Sequence, residues 1–278
     1  MPGPPCPADL PPRAPAAPGS GRCVLAVGAH PDDIELGCGA TLHAHRSAGD
    51  RVVMLVLTDG SSGGGTAAVR RAEQAVATAR IGAEIRWGGF RDGWLGGGPE
   101  VIGVIERVIR EVGATTVYTH APDDTHQDHR AASQTVTSAA RDAERLLYFE
   151  SPSSVDFRPH LYCDVTRSAG RKMEALRAHA SQVAGSRRVD LRAVASLMSV
   201  RGFQSGVDQA EAFMARRFVF DPNPAPAADR TGLPVPVGRP AGERPAAHDL
   251  YDVLRPRGAV AGRGPRLPAP PRPRPHRR

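Results

Sequence analysis

The sequence predicts an α/β fold of the Rossmann-like, doubly wound type, a mostly parallel sheet with helices on both faces. Three observations predict it. Short apolar runs alternate with helical patterns about four times in the first 150 residues. The helical patterns stop at Gly49, Gly82 and Gly113, and glycine is the residue that closes a helix in the left-handed conformation. The polar clusters fall directly after the apolar runs, at the carboxyl ends of strands, where parallel α/β sheets carry their ligand chemistry.

In chain order, Cys23-Val-Leu-Ala-Val-Gly-Ala29 is a continuous apolar run and predicts a buried strand. Leu36 to Ala48 predicts a helix, Arg51 to Leu57 a second strand, and Thr66 to Ile81 a second helix. Glu84 to Trp87 is a short strand. Val101, Ile102, Ile105, Val108, Ile109 and Val112 share one helical face. Thr115 to Thr119 is β-branched and extended, Asp128 to Arg141 helical, and Leu146 to Phe149 a strand. Beyond residue 150 the pattern predicts a strand near Leu161–Val165, helices over Ser168–Ser181 and Arg188–Met198, and a last strand at Arg217–Phe220.

The ends differ from this body. Of the 27 prolines, 8 lie in residues 1–20 and 14 in 222–275, and proline donates to neither helix nor sheet ladder. Residues 1–20 and 221–278 are therefore expected to be disordered and 21–220 to be the folded domain. The net charge of +7 sits mostly in the Arg-rich tail, so the body presents no phosphate-binding surface and nucleic acid is not an expected partner. The four cysteines form no CxxC pair, so neither a disulfide framework nor a cysteine-type zinc site is expected. There is no signal-peptide pattern and no apolar run long enough to span a membrane, which leaves a cytoplasmic location as the expectation.

Two segments carry chemistry. His30-Pro-Asp-Asp33 follows the first strand. Histidine with aspartate is a common zinc donor set, and a catalytic zinc takes three protein ligands and an open position. One carboxylate of the pair can bind metal while the other faces substrate. A polar turn with an Asp capping the next helix is the alternative for this segment alone. His126-Gln-Asp-His129 opens a helix with two imidazoles on one face. His129 can supply a third ligand, and Asp128 can orient an imidazole through its second N–H. Asp123 and Asp124 are expected to form the turn after Pro122. Together the segments suggest a mononuclear His–Asp–His zinc site with a spare Asp and a spare His, the parts amide hydrolysis needs.

Ala29-His-Pro-Asp-Asp-Ile-Glu-Leu-Gly-Cys-Gly-Ala-Thr41 and Thr119-His-Ala-Pro-Asp-Asp-Thr-His-Gln-Asp-His129 resemble the signatures of the PIG-L (LmbE-like) zinc-dependent N-deacetylases. Thr58-Asp-Gly60, Arg70 with Glu73, Phe90-Arg-Asp-Gly93, Ser181-Gln182, and Arg201-Gly202 with Ala210-Glu-Ala-Phe213 support the resemblance. It implies His30, Asp33 and His129 as metal ligands and Asp32 as general base. It implies His126, oriented by Asp128, as oxyanion stabiliser or acid, and Arg70 and Asp92 as contacts to sugar or acyl group. Some relatives place a tyrosine two residues before the position of His126, where this chain has Asp124. The implied cofactor is Zn²⁺, with Fe²⁺ or another divalent metal able to fill the same donor set. The implied substrate is an N-acetylglucosamine-type amino sugar or its glycoside. A non-catalytic sugar- or nucleotide-binding α/β module with a vestigial metal site is the competing reading.

Other residues are expected to pack rather than react. His43 and His45 lie two apart on a helix and point to different faces. Gly63-Gly-Gly65 lacks the Lys-Ser/Thr of a phosphate loop. Cys38 and His179 are expected to be structural. Trp94 is open to two readings, packing or stacking on a sugar ring.

Overall fold

The computed structural model describes residues 22–184 and 189–220. The termini expected to be disordered, 1–20 and 221–278, lie outside the described residues. The described chain runs β1 (Cys23–Gly28), α1 (Asp33–Ser47), β2 (Arg51–Thr58), α2 (Ala67–Ile81), β3 (Glu84–Phe90), α3 (Pro99–Val112), β4 (Thr116–His120), α4 (Gln127–Ala139) and β5 (Arg145–Phe149). It continues through β6 (Leu161–Asp164), α5 (Ala169–Ala178), α6 (Ala180–Val183), α7 (Leu191–Ser205) and β7 (Ala210–Phe218). The seven strands form one sheet in the order β3-β2-β1-β4-β5-β7-β6. The first five strands are parallel, and β7 inserts antiparallel between β5 and β6. The predicted mostly parallel α/β fold is therefore the observed one.

Alternation along the strands divides the core. Val24 and Ala26 of β1 pack with Ile34, Leu42, Ala77 and Ile81 under α1 and α2. Leu25 and Val27 face the other way, toward Ile105, Val108 and Val136 of α3 and α4. Each valine, leucine and isoleucine among them contributes roughly 1.5–3 kcal/mol of burial free energy, an upper bound because the unfolded chain already buries some surface. β1 lies between β2 and β4, so the chain leaves it toward one edge and returns on its other side. That reversal of strand order opens a crevice at the carboxyl ends of β1 and β4.

Helix α1 is kinked at Cys38, whose φ/ψ of −147/18 lies outside the helical region. The second segment of the helix starts there and needs its own cap. Glu211 of β7 supplies it, accepting from Ala40 N at 3.2 Å and Thr41 N at 2.7 Å. Lys172, the chain's single lysine, donates at 2.6 Å to both Glu211 Oε1 and the Leu36 carbonyl. Both charges are buried, at 3% and 4% exposure. Gly37 lets this helix close on the sheet, since a Cβ there would meet the Phe149 ring.

Several boundaries differ from the sequence expectation. β3 continues past Trp87 to Phe90, and α1 begins at Asp33 instead of Leu36. β7 starts at Ala210, seven residues before the expected Arg217, because the buried Glu211 interrupts the apolar pattern by which a strand is recognised. The helix expected over Ser168–Ser181 breaks at His179, whose ψ of 57 ends α5.

Candidate metal centre and catalytic site

The turn after β1 carries His30, Asp32 and Asp33 into the crevice. Asp32 takes φ 91, a left-handed conformation that a non-glycine residue holds only when its surroundings enforce it. Here they do. Asp32 N donates to Gln74 Oε1 at 3.2 Å, and Arg70 Nη2 donates to the Pro31 carbonyl at 2.6 Å. Arg70 Nη1 lies 3.5 Å from Asp32 Oδ2. Arg70, expected to contact substrate, is 2% exposed; its Nη1 and Nη2 serve this turn and its Nε has no hydrogen-bond partner. Burial, then the neighbouring Asp33, raises the Asp32 carboxyl to about 6, against the opposing pull of Arg70.

Asp33 joins the two segments found in the sequence. Its Oδ2 is 3.2 Å from His30 Nδ1, and its Oδ1 is 3.3 Å from His129 Nε2. His30, Asp33 and His129 are thus in mutual contact through one carboxylate. The far side of His129 is also held, with Nδ1 3.2 Å from Asp124 Oδ2 and 3.2 Å from Ser153 Oγ. The far side of His30 is flanked by Asp92 and Asp128, each with a carboxylate oxygen 3.2 Å from Nε2. Burial disfavours the His30 cation, yet Asp128, Asp33 and Asp92 together push the imidazole up to about 12. Burial likewise opposes charge on His129, and Asp33 and Asp124 raise it to about 9.

Asp128 therefore differs in its contacts from the sequence expectation. Its carboxylate faces His30, not His126, and accepts from Gly93 N at 2.7 Å and Leu95 N at 3.2 Å. His126 is oriented by the Asp128 backbone N–H, which donates to its Nδ1 at 3.2 Å. With Nδ1 accepting, a neutral His126 carries its proton on Nε2. Burial and the nearby His30 and His129 lower its pKa, which favours that neutral donor form. His126 is half-buried, whereas His30, Asp33 and His129 are buried. Asp92, the other expected substrate contact, is also buried, with Oδ2 accepting from Ser62 N at 2.7 Å.

Two residues here carried no site role in the sequence reading. Asp124 makes the expected turn, accepting from His126 N at 2.8 Å, and also faces His129. Its spacing of five before His129 is the only sequence trace of that second role. His120, the last residue of β4, is fully buried and stacks on His129 with ring centroids 4.0 Å apart. Burial and His129 lower it to about 4, so it is neutral.

The donor set fits a divalent cation. Nitrogens of His30, His126 and His129 lie within 4.8 Å of one another, as do donor atoms of Asp33, His120 and His129. His120 Nε2 accepts from Ala29 N at 3.1 Å and lies 3.3 Å from Asp33 Oδ2. His30 and His129 each present one ring nitrogen to Asp33 and the other to a further carboxylate, the arrangement that fixes imidazole ligands.

The remaining residues pack. His43 Nδ1 meets Ser168 Oγ at 3.1 Å, and His45 bridges Asp50 at 2.7 Å and the Tyr118 hydroxyl at 3.0 Å. His179 is buried 3.6 Å from Glu35, and Cys38 is a fully buried thiol. Glu73 accepts from Ser181 N and Oγ, both at 2.7 Å, clasping α2 to α6. Among the described residues, no helix is long and apolar enough to cross a membrane.

Comparison with known proteins follows the same residues. The PIG-L family model, described as GlcNAc-PI de-N-acetylase, matches residues 25–140. A relative in Escherichia coli (strain K12), the uncharacterized deacetylase YaiS, is 32% identical over 169 residues, which span 57% of this chain and 90% of the relative. The crystal structure of the conserved protein TT1542 from Thermus thermophilus is 28% identical, with a TM-score of 0.66 over 71% of this chain and 96% of that one. The N,N'-diacetylchitobiose deacetylase of Pyrococcus horikoshii shares the fold at 22% identity, with a TM-score of 0.62 over 70% of this chain and 83% of that one.

Proposed function

From the premise that this chain belongs to the PIG-L family of deacetylases, we propose that it is a zinc-dependent hydrolase. It removes the N-acetyl group from an N-acetylglucosamine-type amino sugar or its glycoside. The observation that carries this reading is the contact of Asp33 with both His30 and His129 in the crevice between β1 and β4. His30, Asp33 and His129 would hold the metal. When bound, zinc supplies Lewis acidity, which polarises the amide carbonyl and brings the pKa of a water to about 7.

The chain's own groups do the rest. Asp32, beside Asp33 in the strained turn and raised to about 6, accepts the proton of the attacking water. A carboxylate raised above its ordinary range suits a base that must later pass its proton to the departing amine. His126 donates from Nε2 to the oxygen of the acyl group as negative charge develops there. Asp128 and Asp92 hold His30, and Asp124 holds His129, so the imidazoles do not turn during the reaction. Arg70 keeps the Asp32 turn in place from below. The N-acetyl hexosamine assignment draws support from the family description and from the substrate named for the Pyrococcus horikoshii protein.

The test is release of free amine from N-acetylglucosamine and its conjugates by the purified chain, before and after chelation. Activity lost on chelation and restored by Zn²⁺ is expected. Undiminished release after exhaustive metal removal would overturn the proposal.

A further inference from the structure

We propose that Trp94, with the Arg91 guanidinium beside it, is a stacking platform for a second sugar ring attached to the N-acetylated one. The platform sets a preference for glycosides over the free amino sugar. This rests on the deacetylase reading above and adds the part of the substrate that reading leaves open.

Trp94 is 73% exposed in the loop between β3 and α3, on the rim that carries the metal centre. An indole this open is often a loose surface residue, but its backbone is fixed on both sides. Gly93 N and Leu95 N both donate to the Asp128 carboxylate, at 2.7 and 3.2 Å. Leu95 is buried in the core beneath, and Trp94 N donates to the Arg91 carbonyl at 3.2 Å. The same Asp128 oxygen that holds Gly93 lies 3.2 Å from His30 Nε2. Asp92, two residues before Trp94, touches His30 as well. Trp94 therefore stands at most about 7 Å of chain from a residue in contact with the metal centre. In this proposal the neighbouring ring, not the acetamide, lies against the indole.

The chemistry of the pair fits a sugar. The indole offers a large apolar face, and a pyranose presents C–H bonds on one side and hydroxyls around its edge. The Arg91 guanidinium carbon lies 5.1 Å from the Trp94 ring centroid, which occupies one face and leaves the other open. Its N–H groups are donors for the hydroxyl edge. Trp87, the chain's only other tryptophan, is partly buried and covered by Arg71 at 4.3 Å.

Two measurements test the platform. The first is the ratio of kcat/KM for amine release from N,N'-diacetylchitobiose to that from N-acetylglucosamine. Trp94→Ala is expected to lower this ratio about tenfold, and Trp94→Phe to keep most of it. An equal fall on both substrates, with the ratio unchanged, would mean that the indole only steadies the loop and would overturn the proposal. The second uses Trp87→Phe with Asp32→Asn, in which Trp94 is the sole tryptophan and turnover is blocked. Its tryptophan-selective emission is expected to shift to the blue on titration with N,N'-diacetylchitobiose, and less with N-acetylglucosamine. No shift with the disaccharide overturns the platform. A wild-type protein that releases no amine from these sugars or any other N-acetylglucosamine conjugate overturns the deacetylase reading instead, and the emission titration still decides the platform.

Discussion

The carboxylate of Asp124 lies 3.2 Å from His129 Nδ1, on the opposite side of the imidazole from Asp33. An acidic partner there fixes the ring and its tautomer and leaves Nε2 for a metal. Asp124→Asn is expected to weaken zinc affinity roughly 10- to 100-fold, the usual cost of losing such a partner. Competition with a chromophoric chelator measures it. Unchanged affinity would reduce Asp124 to a turn former.

His126 donates to the developing oxyanion in the proposed reaction. His126→Ala is expected to lower kcat by roughly 10²- to 10³-fold. Zinc content should stay near that of the wild type. Steady-state kinetics with metal analysis on the same preparation distinguishes this from loss of the metal itself.

The Lys172–Glu211 pair is a stability device remote from the chemistry. Removing the lysine alone leaves a buried carboxylate uncompensated, and Lys172→Met is expected to cost about 3–5 kcal/mol in urea unfolding. Glu211 still caps the second segment of α1, so Glu211→Gln in the same chain should recover part of the loss. A wild-type unfolding curve for Lys172→Met would contradict this account.

Asp50 supplies a pH dependence. Burial raises its carboxyl, but His45 and the Arg22 N–H outweigh that and hold it below the ordinary value. A group whose folded pKa is depressed stabilises the fold above its unfolded pKa of about 3.9. The contribution is lost as pH falls through the lower folded value. Wild type is expected to exceed Asp50→Asn in stability at pH 7, with the gap closing below pH 4. Melting temperatures across pH 3–7 check the sign, and a gap that widened on acidification would refute it.

The sequence disclosed those features that rest on local pattern. The apolar runs of β1, β2 and β4 and the glycines that end α2 and α3 follow from sterics and burial over a few residues. His30, Asp33 and His129 were visible because each falls in a compact polar cluster just after a strand. Residues whose partner is far along the chain were not. Asp124 looked like a turn former until the loop brought it against His129, and His120 looked like the end of a strand. Asp128 was expected to orient His126 with its carboxylate, but that carboxylate faces His30, a contact 98 residues apart. The start of β7 was hidden because Glu211 is polar in isolation and buried only once Lys172 meets it. The contacts of Arg70 with Pro31 and Asp32, 39 and 38 residues away, had no sequence signal either.

In the proposed reaction Asp33 binds the metal and its neighbour Asp32 transfers the proton. Zinc content and amine release, measured together on wild type, Asp33→Ala and Asp32→Asn, test it most directly. The wild type should bind one zinc and release amine from an N-acetylglucosamine substrate, and Asp33→Ala should lose both. Asp32→Asn should keep the zinc and lose the activity. Full activity in Asp32→Asn, or a fully active wild type without zinc, would contradict the account.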